Sequence, residues 1–337
     1  MTEQPFEFSS LPARWGPSIG AAVLTITLLL AHLMTSHALP RTALTLMILV
    51  AVALQVAGSW VMRQGLTKLP WGRISSANLV ATPRASVQPP EIWLVAHIDS
   101  KSQTIPMLVR IASVGISVLL YVITLGMLVA IVAMDLAGAV TPLGPHENPV
   151  MAVPWMTAFI GAVATIPLVV CFIGNKSQGA VDNASGVAAV TLAVELLRDR
   201  ERVGVIITSG EELGLAGARA FVSEMPLKGV ALNCDTVDDC GWFICLNSGR
   251  LPERLSEALA RAAERTGIAV SRRGVLPGVL ADNIAFTSAG WESFTLGRGN
   301  LGTLARVHTS RDRPEEIEGT GIAMAAQLLA ATAEELF

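Results

Sequence analysis

The sequence predicts an α/β fold, a mixed and largely parallel sheet flanked by helices, to which four transmembrane α-helices are added. Two observations carry this. After Gly174, short apolar runs alternate with amphipathic segments, the pattern of strands joined through helices into a parallel sheet. Before Gly174, four apolar segments are each long enough to cross a bilayer. Composition agrees: 52% of the 337 residues are hydrophobic and 15% charged, with a mean hydropathy of +0.54. Such values belong to a chain with several apolar spans. A net charge of −3, with no basic stripe interleaved by aromatics, excludes nucleic acid as an expected partner.

Taken in order, residues 1–18 read as a polar, loose N-terminal tail. Ile19–Ser36 is the first span, Leu39-Pro40-Arg41 the turn, and Ala43–Met62 the return, a transmembrane hairpin over 19–62. Arg14 ahead of an apolar run also fits a signal peptide, but the second span that follows at once favours the hairpin. Residues 63–110 open a polar domain. They hold a strand near Ile74–Ala81 and a buried strand at Glu91–Ala96, which delivers His97 and Asp99 at its C-terminal end. A second hairpin, 111–173, then interrupts that domain. Its spans, Ile111–Met134 and Val150–Ile173, contain no charged side chain. Pro154 and Pro167 kink the last span or mark its ends.

Residues 174–337 complete the domain. Ala184–Arg198 has helical periodicity, and Val203–Thr208 is a strand ending just before Glu211-Glu212. Leu215–Glu224 follows as helix, Val230–Cys234 and Trp242–Leu246 as strands, and Pro252–Thr266 as an amphipathic helix with proline at its start. Ile268–Ser271 is a strand, Asn283–Ser288 a short helix, Ser293–Leu296 a strand and Ile317–Leu336 the closing helix. Ser100-Lys101-Ser102-Gln103 is echoed by Asn175-Lys176-Ser177-Gln178 on the two sides of the insert, so these segments are expected to face each other.

Basic residues near the span ends orient the chain. Arg14, Arg63, Lys68, Arg73, Lys101, Arg110 and Lys176 fall on one side; the other has Arg41, and Asp135–Pro149 has no Lys or Arg. Four spans then place both termini and the polar domain in the cytoplasm. Cys171, Cys234, Cys240 and Cys245 lack disulfide-framework spacing and read as free buried thiols, in keeping with a reducing compartment.

Five short pieces carry the chemistry: His97-Ile98-Asp99-Ser100, Asp182-Asn183-Ala184-Ser185-Gly186, Glu211-Glu212, Asp235, and His308. Most fall where expected strands end. A pair of divalent ions that activates water needs imidazoles, carboxylates, one carboxylate able to bridge, and an unligated base nearby. Singly, each piece has a bland reading as a structural histidine, a solvated turn or a helix cap.

In combination they resemble the zinc aminopeptidase family that includes bacterial leucine aminopeptidases, with glutamate carboxypeptidase, glutaminyl cyclases and the transferrin receptor as relatives. The stretches that carry the resemblance are L-V-A-H-I-D-S, G-A-V-D-N-A-S-G-V-A, T-S-G-E-E-L-G-L-A-G-A-R, L-N-C-D, A-D-N-I-A-F-T-S-A-G and V-H-T-S-R-D, in the family's order from Glu91 to the C-terminus with the insert excluded. The resemblance implies a metallo-aminopeptidase acting on peptides with two divalent ions, zinc in the family. It implies Asp182 as the bridging carboxylate, His97 and Asp235 on one ion, and Glu212 and His308 on the other. Glu211 would be the general base and Asp99 the acid that orients an imidazole. Arg298 and Asp282 become candidate substrate contacts.

The sequence departs from the family at Asn283, where a histidine is common, and in having its single tyrosine, Tyr121, inside a span. A metal ion, a backbone N–H or Arg298 must then face the oxyanion. Trp242 and Trp291 either line a pocket or pack in the core. His146 is expected to be solvated, and His32 and His37 to sit at interfacial or helix-packing positions. Alternatives to the peptidase are glutaminyl-cyclase-like acyl transfer on the same fold and a non-catalytic membrane receptor or scaffold. The insert, lying between His97 and Asp182, either selects hydrophobic or membrane-associated peptides or only anchors the chain in the lipid bilayer.

Overall fold

The structure is a computed structural model; it describes residues 1–61, 64, 66–83, 89–138, 152–197, 201–225, 227–274 and 279–337. In chain order, β1 (Thr2–Ser9) precedes the long helices α1 (Leu11–Ser36) and α2 (Pro40–Trp60). The single turn α3 (Leu66–Lys68), β2 (Arg73–Ala81), β3 (Ile92–His97) and β4 (Ser102–Gln103) come next. Helices α4 (Met107–Leu136) and α5 (Ala152–Val169) lead to β5 (Ile173–Gly174), α6 (Ser185–Leu196) and β6 (Val203–Thr208). Then follow α7 (Ala216–Glu224), β7 (Val230–Val237), β8 (Trp242–Asn247), α8 (Glu253–Thr266) and β9 (Val270–Gly274). The chain closes with α9 (Asn283–Ser288), β10 (Glu292–Gly299), α10 (Leu301–Arg306) and α11 (Thr320–Glu334). These elements form two compact units, one of Met1–Ser10, Leu66–Met107 and Ile173–Phe337, the other of Leu11–Gly65 and Leu108–Phe172.

The first unit is built on an eight-stranded sheet in the order β1-β2-β6-β3-β7-β10-β8-β9. β3 lies parallel to β6 and to β7, β7 parallel to β10, and β8 parallel to β9, while β1, β2 and the β8–β10 pair are antiparallel. Strand periodicity explains why β3 is central. Ile92, Leu94 and Ala96 face a core shared with residues of α6, α8 and α11. Trp93 and Val95, pointing the other way, pack with Phe221 of α7, Phe286 of α9 and Trp291. The Trp93 and Phe221 rings meet edge-on, their centroids 4.8 Å apart. Trp291 is therefore core, whereas Trp242 is exposed.

Two corrections concern this unit. The tail expected to be loose contains β1, which pairs along its whole length with β2. Phe8 is buried where that edge strand meets the sheet, and Pro5 is tolerated because an edge strand need not donate on both sides. Cys240 is exposed, unlike the three other free cysteines, because it lies in the turn between β7 and β8. The segments of the Ser-Lys-Ser-Gln echo do meet: β4 and β5 form a two-stranded antiparallel ribbon, and Ser102 Oγ accepts the Lys176 N–H at 2.9 Å.

The second unit is helical. Leu28, Ala31, Ala43, Met47, Tyr121, Leu128 and Ala158 form its interior, and Tyr121 donates to the Met47 carbonyl at 2.6 Å. Large apolar side chains such as Leu49, Val56, Leu119, Val122 and Phe159 point outward. A surface of this kind suits lipid rather than water. Among the described residues three helices are long and apolar enough to span a membrane, Leu11–Ser36, Pro40–Trp60 and Met107–Leu136; Met156–Val169 is a shorter apolar stretch. The first and third begin earlier than Ile19 and Ile111, since helical hydrogen bonding continues past the point where polarity changes. Pro167 lies near the end of α5. His32 is buried and His37 exposed. Met62, Arg63, His146, Pro149 and Val150 lie outside the described residues.

Candidate metal centre

The C-terminal ends of β3, β6 and β7 supply His97, the Glu211-Glu212 loop and Asp235, and the turns ahead of α6 and after α10 supply Asp182 and His308. Three devices hold the Asp182 turn. Asp182 itself is extended, with φ −124° and ψ 88°, and its peptide bond to Asn183 is cis. The Asn183 side chain donates to the Cys234 carbonyl at 3.0 Å and accepts the N–H groups of Gly186 and Thr236, tying the turn to the end of β7. The buried Asp312 carboxylate accepts the N–H of Val181 at 2.7 Å and of Asp182 at 3.2 Å.

The two imidazoles face opposite oxygens of one carboxylate. His97 Nε2 lies 3.2 Å from Asp182 Oδ1 and 3.4 Å from Asp235 Oδ1. His308 Nε2 lies 2.9 Å from Asp182 Oδ2 and 3.0 Å from Glu212 Oε1. The far nitrogen of each ring meets an acceptor, the Asp99 carbonyl at 3.0 Å from His97 Nδ1 and Gln103 Oε1 at 3.4 Å from His308 Nδ1. Once the ring loses a proton, these acceptors hold the remaining one on Nδ1, so that each Nε2 would offer its lone pair to the space between the carboxylates. His308 adopts a left-handed backbone, φ 61°, a conformation that non-glycine residues occupy at a cost and that gathers at functional sites.

Asp99 acts through the neighbouring loop. Its carboxylate oxygens accept the N–H groups of Glu211 and Glu212, both at 3.1 Å; the His97 Nδ1 meets its carbonyl at 3.0 Å and lies 3.8 Å from its carboxylate Oδ1. Glu211 is buried, with Oε2 3.9 Å from His97 Nε2. Asp282, also buried, accepts from Thr208 Oγ1 at 2.5 Å, behind the His97 end of β3. Arg298 is not brought to this cluster: its guanidinium lies over the Phe243 ring at 5.2 Å and donates to the Gly241 carbonyl. That geometry gives it packing contacts at the β8–β10 end, while its Nη1 is buried without a hydrogen-bond partner. Asn283 is buried and donates to the Leu246 carbonyl.

Burial sets the electrostatics. It lifts Glu211 well above the usual carboxylate range, against the pull of His97, and lifts Asp282 to about 7. Asp182 is held below that range despite burial, because both imidazoles face it. Glu212 is lowered, again against burial, by Lys101 and His308. Both histidines are raised although burial opposes it, His97 by Glu211 and Asp235, His308 to about 9 by Glu212 and Asp182.

His97, Asp182 and Asp235 form one group of potential metal donors, and Asp182, Glu212 and His308 another. A divalent metal fits them. His97 Nε2, His308 Nε2, Glu211 Oε1 and Glu212 Oε1 are buried without hydrogen-bond partners, and a concentration of buried carboxylates calls for cations. The model of peptidase family M28 matches residues 162–333. The chain belongs to peptidase family M28. The match takes in five of the six donor and base positions, Asp182, Glu211, Glu212, Asp235 and His308, together with Asp312; His97 lies before it.

Among solved structures, this M28 chain is similar to an aminopeptidase from Aneurinibacillus sp. strain AM-1, at 15% identity and a TM-score of 0.50 over 78% of this chain and 48% of that one. It is also similar to a zinc aminopeptidase from Bacillus subtilis, at 19% identity and a TM-score of 0.48 over 77% and 50% of the two chains. For the LapA aminopeptidase of Legionella pneumophila the values are 14%, 0.48, 80% and 55%. The chain thus spans about half the length of these structures. No curated protein matches it.

Lys101, Gln103 and Asp312 are the residues of the centre that the motifs do not single out. Lys101 Nζ lies 2.5 Å from Glu212 Oε2, and the Gln103 N–H donates to the His308 carbonyl at 2.9 Å. The signal for the first two was the Ser-Lys-Ser-Gln echo; for Asp312 it was the acidic end of V-H-T-S-R-D.

Proposed function

We propose that this M28 chain is a membrane-embedded aminopeptidase that removes N-terminal residues from peptides with two divalent ions, zinc being the choice that suits its imidazole and carboxylate donors. The observation that carries the reading is the division of Asp182, whose two oxygens face two different histidines, so that one carboxylate belongs to both donor groups. His97, Asp182 and Asp235 would hold one ion and Asp182, Glu212 and His308 the other. Bound there, the ions would polarise the scissile carbonyl and ease deprotonation of the attacking water.

Glu211 is the general base in this reading. Its Oε1 is buried without a hydrogen-bond partner, and burial favours its protonated form. A carboxylate so placed takes a proton from water, keeps it, and passes it to the leaving amine. Asp99 fixes Glu211 through its backbone N–H. Full-length protein in detergent with zinc should shorten a peptide library from the N-terminus, read by mass spectrometry, while Glu211→Gln lowers the rate by about 10²–10⁴-fold. Internal cleavage, or equal digestion by wild type and variant, would sink the proposal.

The four apolar segments serve as spans, with both termini and the metal centre in the cytoplasm, following the basic residues that flank them. A reporter fused after Phe337 that needs an oxidising, non-cytoplasmic compartment should be inactive; activity from it would overturn this topology.

A further inference from the structure

Among the described residues, a lysine reaches the centre at one of its two donor groups. Lys101 Nζ is 2.5 Å from Glu212 Oε2, with side-chain exposures of 13% and 5%. The oxygens of Glu212 are therefore committed in different directions, Oε2 to the lysine and Oε1 to the space shared with His308 Nε2 at 3.0 Å. Asp182 and Asp235 have no ion pair with a lysine or arginine among the described residues. The backbone at the lysine is also held by the two residues that follow it. Ser102 accepts from the Lys176 N–H, and the Gln103 N–H donates to the His308 carbonyl.

We propose that Lys101 makes the Asp182–Glu212–His308 group the weaker and more exchangeable of the two cation sites. This rests on the dinuclear reading above. A divalent ion bound by Glu212 shares that carboxylate with an ammonium group in surroundings of low dielectric, where like charges repel far more than in water. The lysine also restricts Glu212 to one donor oxygen. A purely supporting residue has the opposite effect: groups that orient a ligand strengthen metal binding, and their loss weakens it. The sign of the change on removing the charge therefore separates the two roles.

The test is metal uptake by the metal-free, full-length protein in detergent, titrated with zinc against a competing chelator. Wild type should take up zinc in two classes of unequal affinity, and Glu212→Gln should remove the weaker. Lys101→Met should tighten the weaker class by about tenfold or more and leave the tighter one unchanged. Lys101→Arg, which keeps the charge, should leave the weak class weak. Two equal classes in wild type would overturn the proposal without any variant, as would a weak class that Lys101→Met loosens or leaves as it was. Zinc uptake that neither Glu212→Gln nor His97→Asn alters would sink the dinuclear reading itself.

Discussion

The carboxylate of Asp312 accepts the backbone N–H of Asp182 at 3.2 Å, so a buried acid far along the chain fixes the residue common to both donor groups. Its second oxygen takes the Val181 N–H, and no apolar side chain could replace either bond. Asp312→Ala is expected to leave two buried N–H groups unsatisfied, at about 1–3 kcal/mol each before any relaxation. Metal affinity should fall by roughly 10–100-fold, the usual loss when a supporting group is removed. Zinc titration and thermal unfolding of the variant check the two effects separately.

Gly186 is the position where the motif D-N-A-S-G leaves least room. A Cβ there would come 2.5 Å from the Cys234 carbonyl oxygen, which belongs to β7, and would strike the Asn183 side chain. Gly186→Ala should therefore push the Asp182 turn away from β7, costing about 1–3 kcal/mol as overpacking does and reducing metal uptake. Gly267→Ala is a useful contrast: nothing lies within 4 Å of its Cβ, but its φ is +69°, so it should lose stability without losing metal.

Most strands of the first unit were legible because each is a short apolar run bounded by turn residues, and the donor residues follow such runs. His97 follows Trp93-Leu94-Val95-Ala96 in this way, and Asp235 follows Leu232-Asn233-Cys234. β1 was not legible. Its Glu3, Gln4 and Glu7 read as tail, and only pairing with β2 gives Phe8 a buried place. Lys101 and Asp312 left only weak traces, an echo and a motif's end, for a related reason: their roles come from contacts across 111 to 131 residues, which leave no local period. Arg298 stands out as a loop arginine among glycines, and its stacking on Phe243 comes from a fold contact that the sequence does not show.

Metal uptake should release protons. Without metal, His308 titrates at about 9, burial being outweighed by Glu212 and Asp182, and His97 is likewise raised by Glu211 and Asp235. Uptake then displaces a proton from His308, and His97 is pushed in the same direction, since a ring must be neutral to ligate. Affinity should rise with pH from neutrality towards about 9 and flatten above it. The binding enthalpy at pH 7 should change with the ionisation enthalpy of the buffer, and a calorimetric titration in two buffers that gives the same heat would contradict this.

Asp239 should matter for stability rather than for metal. From the turn between β7 and β8 it accepts the N–H groups of Glu318, Gly319 and Gly321 and the Thr320 hydroxyl, capping α11 from outside that helix. Burial alone would raise its pKa, but these bonds outweigh it and bring the carboxyl down to about 2. A depressed folded-state pKa means stabilisation that is complete above the unfolded value of about 3.9 and is lost as pH falls through about 2. Asp239→Ala should cost roughly 1 kcal/mol at pH 7, the order of a lost helix cap. The difference between wild type and variant should shrink as the pH of thermal unfolding is taken from 5 towards 2. A gap that stays constant across that range would show that the carboxylate charge contributes nothing to the cap.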